Sequence, residues 1–196
     1  MDDAVIRAMA RWPNVPAVYG WLALDRRGAW RLRGDPVLHR GAVEFINRNY
    51  AGNAAGQWYF QNGPQRAFVD LEYTPWVYVL DGAGALATHT GAPAGAIEGA
   101  WMDEEGQLLL ETAHGVGLVC DRDLDRVSEH LCRADGTPCR DTDVEALIGA
   151  AAGTAHADVQ LDWDGCRVPV RAIRRREVPA RFGFDPRPRA DDTRET

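Results

Sequence analysis

Hydrophobic and polar residues alternate most regularly along the segment Arg66–Tyr73. One set of alternate residues is apolar and consists of Ala67, Val69, Leu71 and Tyr73. The other set is mostly polar and consists of Arg66, Phe68, Asp70 and Glu72. A period of two predicts a strand with one buried face. The segment Gln57–Gln61 and the turn Asn62–Gln65 complete a predicted hairpin, because Asn-Gly tolerates left-handed backbone and proline fixes φ. Residues 76–80, rich in aromatic and β-branched side chains, predict a further strand.

Helical spacing is confined to short segments of the chain. Apolar residues recur at i, i+3, i+4 and i+7 in residues 3–12, and Pro13 follows as a stop. A second predicted helix spans residues 42–51. Two more begin near Asp123 and at the capping box Thr142-x-x-Glu145.

Turn signals between the predicted strands favour an antiparallel arrangement. Four segments place Asp at the first position and Gly at the fourth, and these are Asp25–Gly28, Asp81–Gly84, Asp103–Gly106 and Asp162–Gly165. This pattern is typical of a type I turn followed by a left-handed glycine in a hairpin loop. We therefore predict an α+β fold with two small antiparallel β-rich lobes and a few packed helices.

The domain boundary is predicted at Gly91–Gly95, where alanine, glycine and proline dominate. This places an N-terminal lobe at residues 1–90 and a C-terminal lobe at residues 91–184. From Asp185 onward the chain is polar and contains two prolines, so we expect residues 185–196 to form a disordered tail.

Charge and hydropathy narrow the classes of partner. The net charge of -7 disfavours nucleic acid, whose phosphates the overall field would repel. One local basic cluster consists of Arg171, Arg174, Arg175, Arg176 and Arg181. Because Glu177 interrupts it, we expect this cluster to be a solvated edge of the protein. No apolar run reaches the roughly 20 residues that span a bilayer, and the N-terminus lacks a basic signal region. We expect a cytoplasmic protein that does not associate with membranes.

Two compositional features exclude whole classes of enzyme. All 22 basic residues are arginine, which removes Schiff-base chemistry, a pyridoxal-phosphate anchor, a Walker A loop and the kinase lysine. The single serine, Ser128, lies in a helical pattern without a Gly-x-Ser-x-Gly elbow, so a classical serine hydrolase is not expected.

The cysteine spacing predicts reduced thiols rather than a metal site. Cys120, His130, Cys132 and Cys139 could supply four zinc ligands, but structural zinc sites use closely spaced cysteine pairs.

The segment Gly82–Ala87 resembles a dinucleotide fingerprint, although the residues after it cannot form the helix that such a site needs. We therefore expect no metal and no cofactor.

The polar side of the hairpin is the candidate binding surface, comprising Asn62, Gln65, Arg66, Phe68, Asp70 and Glu72. If Phe68 stands outward, it gives an apolar anchor inside a polar rim, as in contact surfaces. The alternative is that the other lobe or the predicted helix of residues 42–51 packs over Phe68. Asp70 and Glu72, about 7 Å apart on one strand face, also allow a carboxylate-based hydrolase, although a solvated strand face explains the pair more simply.

Two stretches carry a family resemblance: WPNVPAVYGWLALDRRGAW at residues 12–30 and QWYFQNGPQRAFVDLEYTPW at residues 57–76. They resemble a family of uncharacterised bacterial conserved hypothetical proteins over most of the chain up to about Phe184. The resemblance implies a small cytosolic bacterial protein, no assigned activity and no catalytic residue. We predict a non-enzymatic binding or scaffold protein, with the hydrolase as the alternative. The candidate partners are another protein, a small ligand or a second copy of the chain.

Overall fold

A computed structural model describes residues 1–12, 15–151 and 158–190. The chain forms two compact units. Unit 1 comprises Met1–Asp25, Ala29–Pro75 and the residues from Gly183 onward, and unit 2 comprises Arg26–Gly28 and Trp76–Phe182.

This division differs from the predicted one, since unit 2 begins at Trp76 and contains the Gly91–Gly95 segment. The backbone N–H of Ala94 donates to the carbonyl of Leu86, and Ala94 is buried. Small residues in this segment allow a close connection within one unit, and the same composition is typical of linkers.

The described residues of unit 1 form two helices and a six-stranded sheet. The elements are α1 (Asp3–Arg11), β1 (Val18–Leu24), β2 (Trp30–Leu32), β3 (Asp35–Pro36), α2 (Arg40–Arg48), β4 (Tyr50–Gly52), β5 (Trp58–Asn62) and β6 (Gln65–Leu71). The strand order is β3-β2-β1-β6-β5-β4, in which β1 and β6 are parallel and the other neighbours are antiparallel.

The part of unit 2 that the structure describes forms three α-helices and an eight-stranded sheet. The elements are β7 (Trp76–Leu80), β8 (Leu86–Thr88), β9 (Gly99–Met102), β10 (Leu108–Thr112), β11 (Gly115–Val119), α3 (Asp121–Ser128), β12 (Leu131–Arg133), α4 (Asp141–Ala151), β13 (Val159–Trp163), β14 (Cys166–Ala172), a short 3-10 helix (Arg175–Glu177) and α5 (Val178–Phe182). The strand order is β12-β13-β14-β9-β10-β11-β7-β8. The α+β class is thus confirmed, but both sheets are mixed, because β14 and β9, and β11 and β7, also pair in parallel.

One six-stranded topology occurs in both units. In unit 1 a three-stranded meander (β1 to β3), a helix (α2) and a second meander (β4 to β6) place the first and last strands side by side. In unit 2 the strands β9 to β11, helix α3 and strands β12 to β14 repeat this order, with α4 inserted between β12 and β13. The first and last strands of each motif pair in parallel, which forms a central seam in each sheet.

Each unit has its own apolar core. In unit 1 aromatic rings dominate: Trp30 and Phe45 pack edge-on against Tyr50 and Phe60, respectively. In unit 2 the core is mainly aliphatic and includes the completely buried Leu108, Leu110 and Leu161. Burial of these side chains is the main source of stability for both units.

Three of the four predicted Asp-x-x-Gly turns have the expected form. In the turns that begin at Asp25, Asp81 and Asp103, the Asp carboxylate accepts the backbone N–H four residues later, and the glycine has positive φ. The fourth turn is different. Trp163 pairs with Cys166 across a two-residue turn in which both Asp164 and Gly165 have positive φ, the signature of a type I′ hairpin.

The start of the predicted tail is ordered. The backbone N–H of Asp185 donates to Gly56 at 2.9 Å, and the carbonyl of Pro186 accepts from Leu71 at 2.8 Å. The Arg189 side chain donates to Asp70 at 2.9 Å. Backbone hydrogen bonds to Gly56 and to Leu71 of β6 therefore hold a segment whose composition alone favours disorder. The remainder of the predicted tail, residues 191–196, lies outside the described residues.

Candidate functional site: an arginine groove in unit 1

The polar side of the hairpin is covered at Phe68, where Tyr19 of β1 stacks on the ring and residues of α1 lie nearby. The predicted inward residues Val69, Leu71 and Tyr73 are indeed buried. Phe68, on the opposite side of β6, is also only 5% exposed. Phe68 is therefore buried rather than an exposed anchor, and the ring stacked on it is Tyr19 of β1, not the other lobe or the helix of residues 42–51 that the alternative named.

A groove of about 420 Å³ runs beside Phe68. Its floor is aromatic: Phe68 stacks on Tyr19 and contacts Tyr59 edge-on, with ring centroids 4.6 Å and 5.9 Å apart, respectively. Helix α1 and the residue after it supply Met9 and Trp12 to the lining. The groove is therefore formed by segments that are distant in the sequence.

The first strand of unit 1 is irregular at this groove. Val18 pairs with Ala67 of β6 and Leu22 pairs with Val69, so β1 contains two extra residues between these pairs. Gly20 lies in this bulge with φ of 71°. A bulge re-aims the side chains next to it, which places Tyr19 over Phe68 rather than within a regular ladder.

Arg66 is the charged group in the lining of the groove. Its Nε donates to Oε1 of Gln61 at 3.2 Å, and its guanidinium carbon lies 4.8 Å from the centroid of the Tyr59 ring. Among the described residues no carboxylate forms an ion pair with Arg66, and its two Nη groups make no hydrogen bond. The guanidinium is thus fixed at one edge and available at the other.

Gln61 determines the orientation of Arg66. The Gln61 side chain is completely buried, and its Nε2 donates to the carbonyls of Gly63 and Gln65 at 2.9 and 3.3 Å. Because both amide donors are used in this way, the amide oxygen must face Arg66. A buried amide with all its groups satisfied is a rigid support for a charged side chain.

The structure brings together only two of the six predicted site residues. Arg66 and Phe68 line the groove, whereas Asn62 is exposed at the end of β5. Gln65 uses its side-chain amide to bind the carbonyl of Pro16 at 3.2 Å. Asp70 accepts a hydrogen bond from the Arg189 side chain.

The proposed carboxylate pair does not share a pocket. Asp70 is engaged by Arg189 at 2.9 Å, Glu72 is exposed, and neither carboxyl group lines the groove. A glycosidase needs both carboxyl groups to face one substrate, so this geometry gives no support to the hydrolase alternative.

Sequence reasoning missed Tyr19, Gln61 and the α1 residues that complete the groove. Gln61 had a usable signal, since it alternates with Tyr59 on the same face of β5. Tyr19 and α1 had none, because their position depends on the bulge and on tertiary packing.

The four cysteines are free thiols that differ in their burial. Cys120 is buried at the start of α3, and burial raises the pKa of its thiol. Burial also raises the pKa of Cys139, which lies near Cys132. Cys166 is exposed. Within the part of the chain that the structure describes, no three His, Cys, Asp or Glu residues are grouped as metal ligands.

Two solved structures resemble the fold. A DUF1285 family protein from Silicibacter pomeroyi DSS-3 aligns with a TM-score of 0.53 at 15% identity, covering 88% of this chain and 97% of that chain. A DUF1285 family protein from Shewanella baltica OS155 aligns with a TM-score of 0.42 at 11% identity, covering 54% of this chain and 88% of that chain. The first likeness concerns the fold alone.

Sequence comparison identifies the family. No curated protein matches the chain. Among the described residues, no helix has the length and apolar character needed to cross a membrane. A family model with the description "Protein of unknown function (DUF2946)" matches residues 1–189. The resemblance to an uncharacterised family is therefore confirmed, and the chain belongs to the family described as "Protein of unknown function (DUF2946)".

Proposed function

We propose that the protein is a non-enzymatic binding protein, and that the groove of unit 1 binds an organic anion. The observation that carries this proposal is the Arg66 guanidinium, which is held by Gln61 and Tyr59 and has no carboxylate partner among the described residues. A guanidinium presents parallel N–H groups that match a carboxylate or phosphate in a bidentate geometry.

The groove suits a ligand with an apolar body and an anionic end. Phe68, Tyr19 and Met9 supply the apolar surface, and Arg66 supplies the charge. Because the protein carries a net charge of -7, an anion gains little from the overall field and depends on the local guanidinium. Selectivity is therefore expected to reside in Arg66.

The lining favours binding over catalysis. The lining residues that the structure describes carry no carboxylate, imidazole or thiol, the groups that most often act as general base or nucleophile. The cytoplasmic location that we propose is supported by four cysteines in the free thiol form, as is usual in a reducing compartment.

The proposal is tested by titrating the protein with benzoate and phenyl phosphate, and with benzamide as the uncharged comparison. The quenching of tryptophan fluorescence, to which Trp12 at the groove contributes, reports the binding. We expect the anions to bind at least about tenfold more tightly than benzamide, since a charged hydrogen-bonded pair contributes about 1.5–3 kcal/mol.

Two variants assign the binding to the groove. Arg66→Gln removes the charge and is expected to abolish the preference for anions, while Arg66→Lys keeps the charge without the bidentate fork. Arg176→Gln is the matched control, because Arg176 is an exposed arginine of unit 2 that lies outside the groove. Equal anion binding by Arg66→Gln and the unmodified protein would contradict the proposal.

A further inference from the structure

Unit 2 has a groove at the place that corresponds to the arginine groove of unit 1. In unit 1 the groove lies where β1 begins and where the β5–β6 hairpin turns. In unit 2 a groove of about 700 Å³ lies beside the residues that precede β9 and at the turn of the β13–β14 hairpin. These are equivalent positions in the repeated topology.

The central seam is irregular at both grooves. In unit 2 the parallel pairing of β14 with β9 begins only at Val170 and Ala100. The earlier residues of β14 are thus unpaired on this side, apart from a contact of the Cys166 thiol with the carbonyl of Ile97 at 3.6 Å. The space between the segment Gly95–Ile97 and the hairpin turn is the groove.

An aromatic pair forms one wall of the unit 2 groove. The ring centroids of His130 and Trp163 are 4.6 Å apart, and the rings meet edge to face at 61°. Nδ1 of His130 lies 3.1 Å from the carbonyl of Asp162. A carbonyl can only accept, so Nδ1 carries the proton and Nε2 of the neutral ring is a hydrogen-bond acceptor.

The other polar groups of the lining include hydrogen-bond acceptors and hydrogen-bond donors. Asp164 is exposed at the hairpin turn, and among the described residues it forms no ion pair. No hydrogen bond between described residues uses the backbone N–H of Gly95, Ala96 or Ile97. The indole N–H of Trp163 likewise makes no hydrogen bond within the described part of the chain.

The charge of the lining differs from that of unit 1. No arginine is among the described residues that line the unit 2 groove, although Nη2 of Arg126 would lie 3.2 Å from a Cβ built at the lining residue Gly84. A phosphate or carboxylate would therefore meet the Asp164 carboxylate with no guanidinium among the described lining residues to offset it. This groove favours an uncharged ligand.

We propose that the unit 2 groove is a second binding site, which takes an uncharged sugar ring. The ring places its apolar face on Trp163 and its hydroxyl groups against Asp164, His130 Nε2 and the free backbone N–H groups. A hydroxyl group both donates and accepts, so it matches this mixed set of partners. An aromatic side chain gives an apolar surface together with a polar edge.

The sugar ring could belong to a glycoside or to a nucleoside, and the experiment separates these sources. Methyl β-glucopyranoside, adenosine and adenosine monophosphate are titrated separately by isothermal calorimetry. Saturable binding of the glycoside supports a sugar site, and binding of adenosine alone supports a nucleoside site. Tighter binding of the monophosphate than of adenosine, or no binding of either uncharged compound, would overturn the proposal.

Variants locate the binding. Trp163→Ala is expected to weaken the binding at least tenfold, and Trp21→Ala, which truncates an exposed tryptophan of unit 1, is expected to leave it unchanged. Because Trp163 also packs against the core of unit 2, Asp164→Asn is the second variant. Asn accepts the positive φ of this position, so loss of affinity in a folded Asp164→Asn protein reports the carboxylate. Unchanged affinity in both groove variants would refute the site.

Discussion

The rings of Phe68 and Tyr19 lie parallel, with centroids 4.6 Å apart and an angle of 4° between their planes. The contact joins the polar side of β6 to the irregular part of β1. It explains why β6 is buried on both sides although only one side is uniformly apolar. It also provides the floor on which Arg66 and the unit 1 groove are built.

We expect Phe68→Ala to lower the free energy of unfolding by about 3–5 kcal/mol, because a buried phenylalanine leaves a cavity between Tyr19 and Tyr59. Urea denaturation followed by fluorescence measures this change. Leu38→Ala is the control, since Leu38 is 85% exposed and its truncation should change stability by less than about 0.5 kcal/mol. A small effect of Phe68→Ala would show that this ring is solvent-exposed in solution.

Removal of the segment after Phe184 is expected to destabilise the protein by about 1–3 kcal/mol, because two backbone hydrogen bonds are lost, from Asp185 to Gly56 and from Leu71 to Pro186. This reverses the expectation from composition that the tail can be removed without effect. A chain that ends at Ala190 retains these bonds and serves as the control. Equal urea midpoints for both truncated chains would contradict the prediction.

Gly56→Ala tests the same contact without truncation. Gly56 has φ of 76°, and a Cβ built there would lie 2.3 Å from the carbonyl oxygen of Gly183. Gly20 has a similar φ of 71° with no atom within 4 Å of its Cβ position, so Gly20→Ala measures the backbone strain alone, about 1–2 kcal/mol. We expect Gly56→Ala to cost clearly more than Gly20→Ala in thermal unfolding. Similar costs would show that the two chain segments are not in contact.

The contribution of Glu105 to the free energy of unfolding is expected to be lost at acid pH. Nη1 of Arg175 donates to both carboxylate oxygens of Glu105 at 2.9 Å, which lowers the pKa of Glu105, and Arg26 adds to this shift. A carboxyl group with a lowered folded-state pKa stabilises the fold above its unfolded pKa of about 4.3. This contribution is lost as the pH falls through the folded-state pKa.

We therefore expect Glu105→Gln to be less stable than the unmodified protein at pH 7, by at most about 1 kcal/mol because the pair is exposed to solvent. The difference should disappear as the pH falls through the lowered pKa of Glu105, in thermal unfolding measured across the acid range. Glu145→Gln, at an exposed carboxylate on α4 with no ion pair among the described residues, is the control. A difference for Glu105→Gln that persists at low pH would exclude the ion pair as its cause.

Several features of this protein follow from the local sequence alone. The alternation in Arg66–Tyr73 correctly identified Val69 and Leu71 as buried strand residues. The helical periodicity located α1 and α2 to within a few residues, and the Asp-x-x-Gly pattern identified three hairpin turns. Each of these features is set by interactions between residues close in the chain, so a local pattern contains the necessary information.

Tertiary structure decided the rest. The parallel seams, the burial of Phe68 and the docking of Pro186 on Leu71 all join segments that are far apart in the sequence. The period of a strand reports that one face is apolar, but it does not report what covers the other face. Both grooves lie at irregular ends of these seams, where long-range pairing stops. The sequence placed Arg66 on a candidate binding surface, but only the packing of α1 and β1 beside it formed the groove that Arg66 lines.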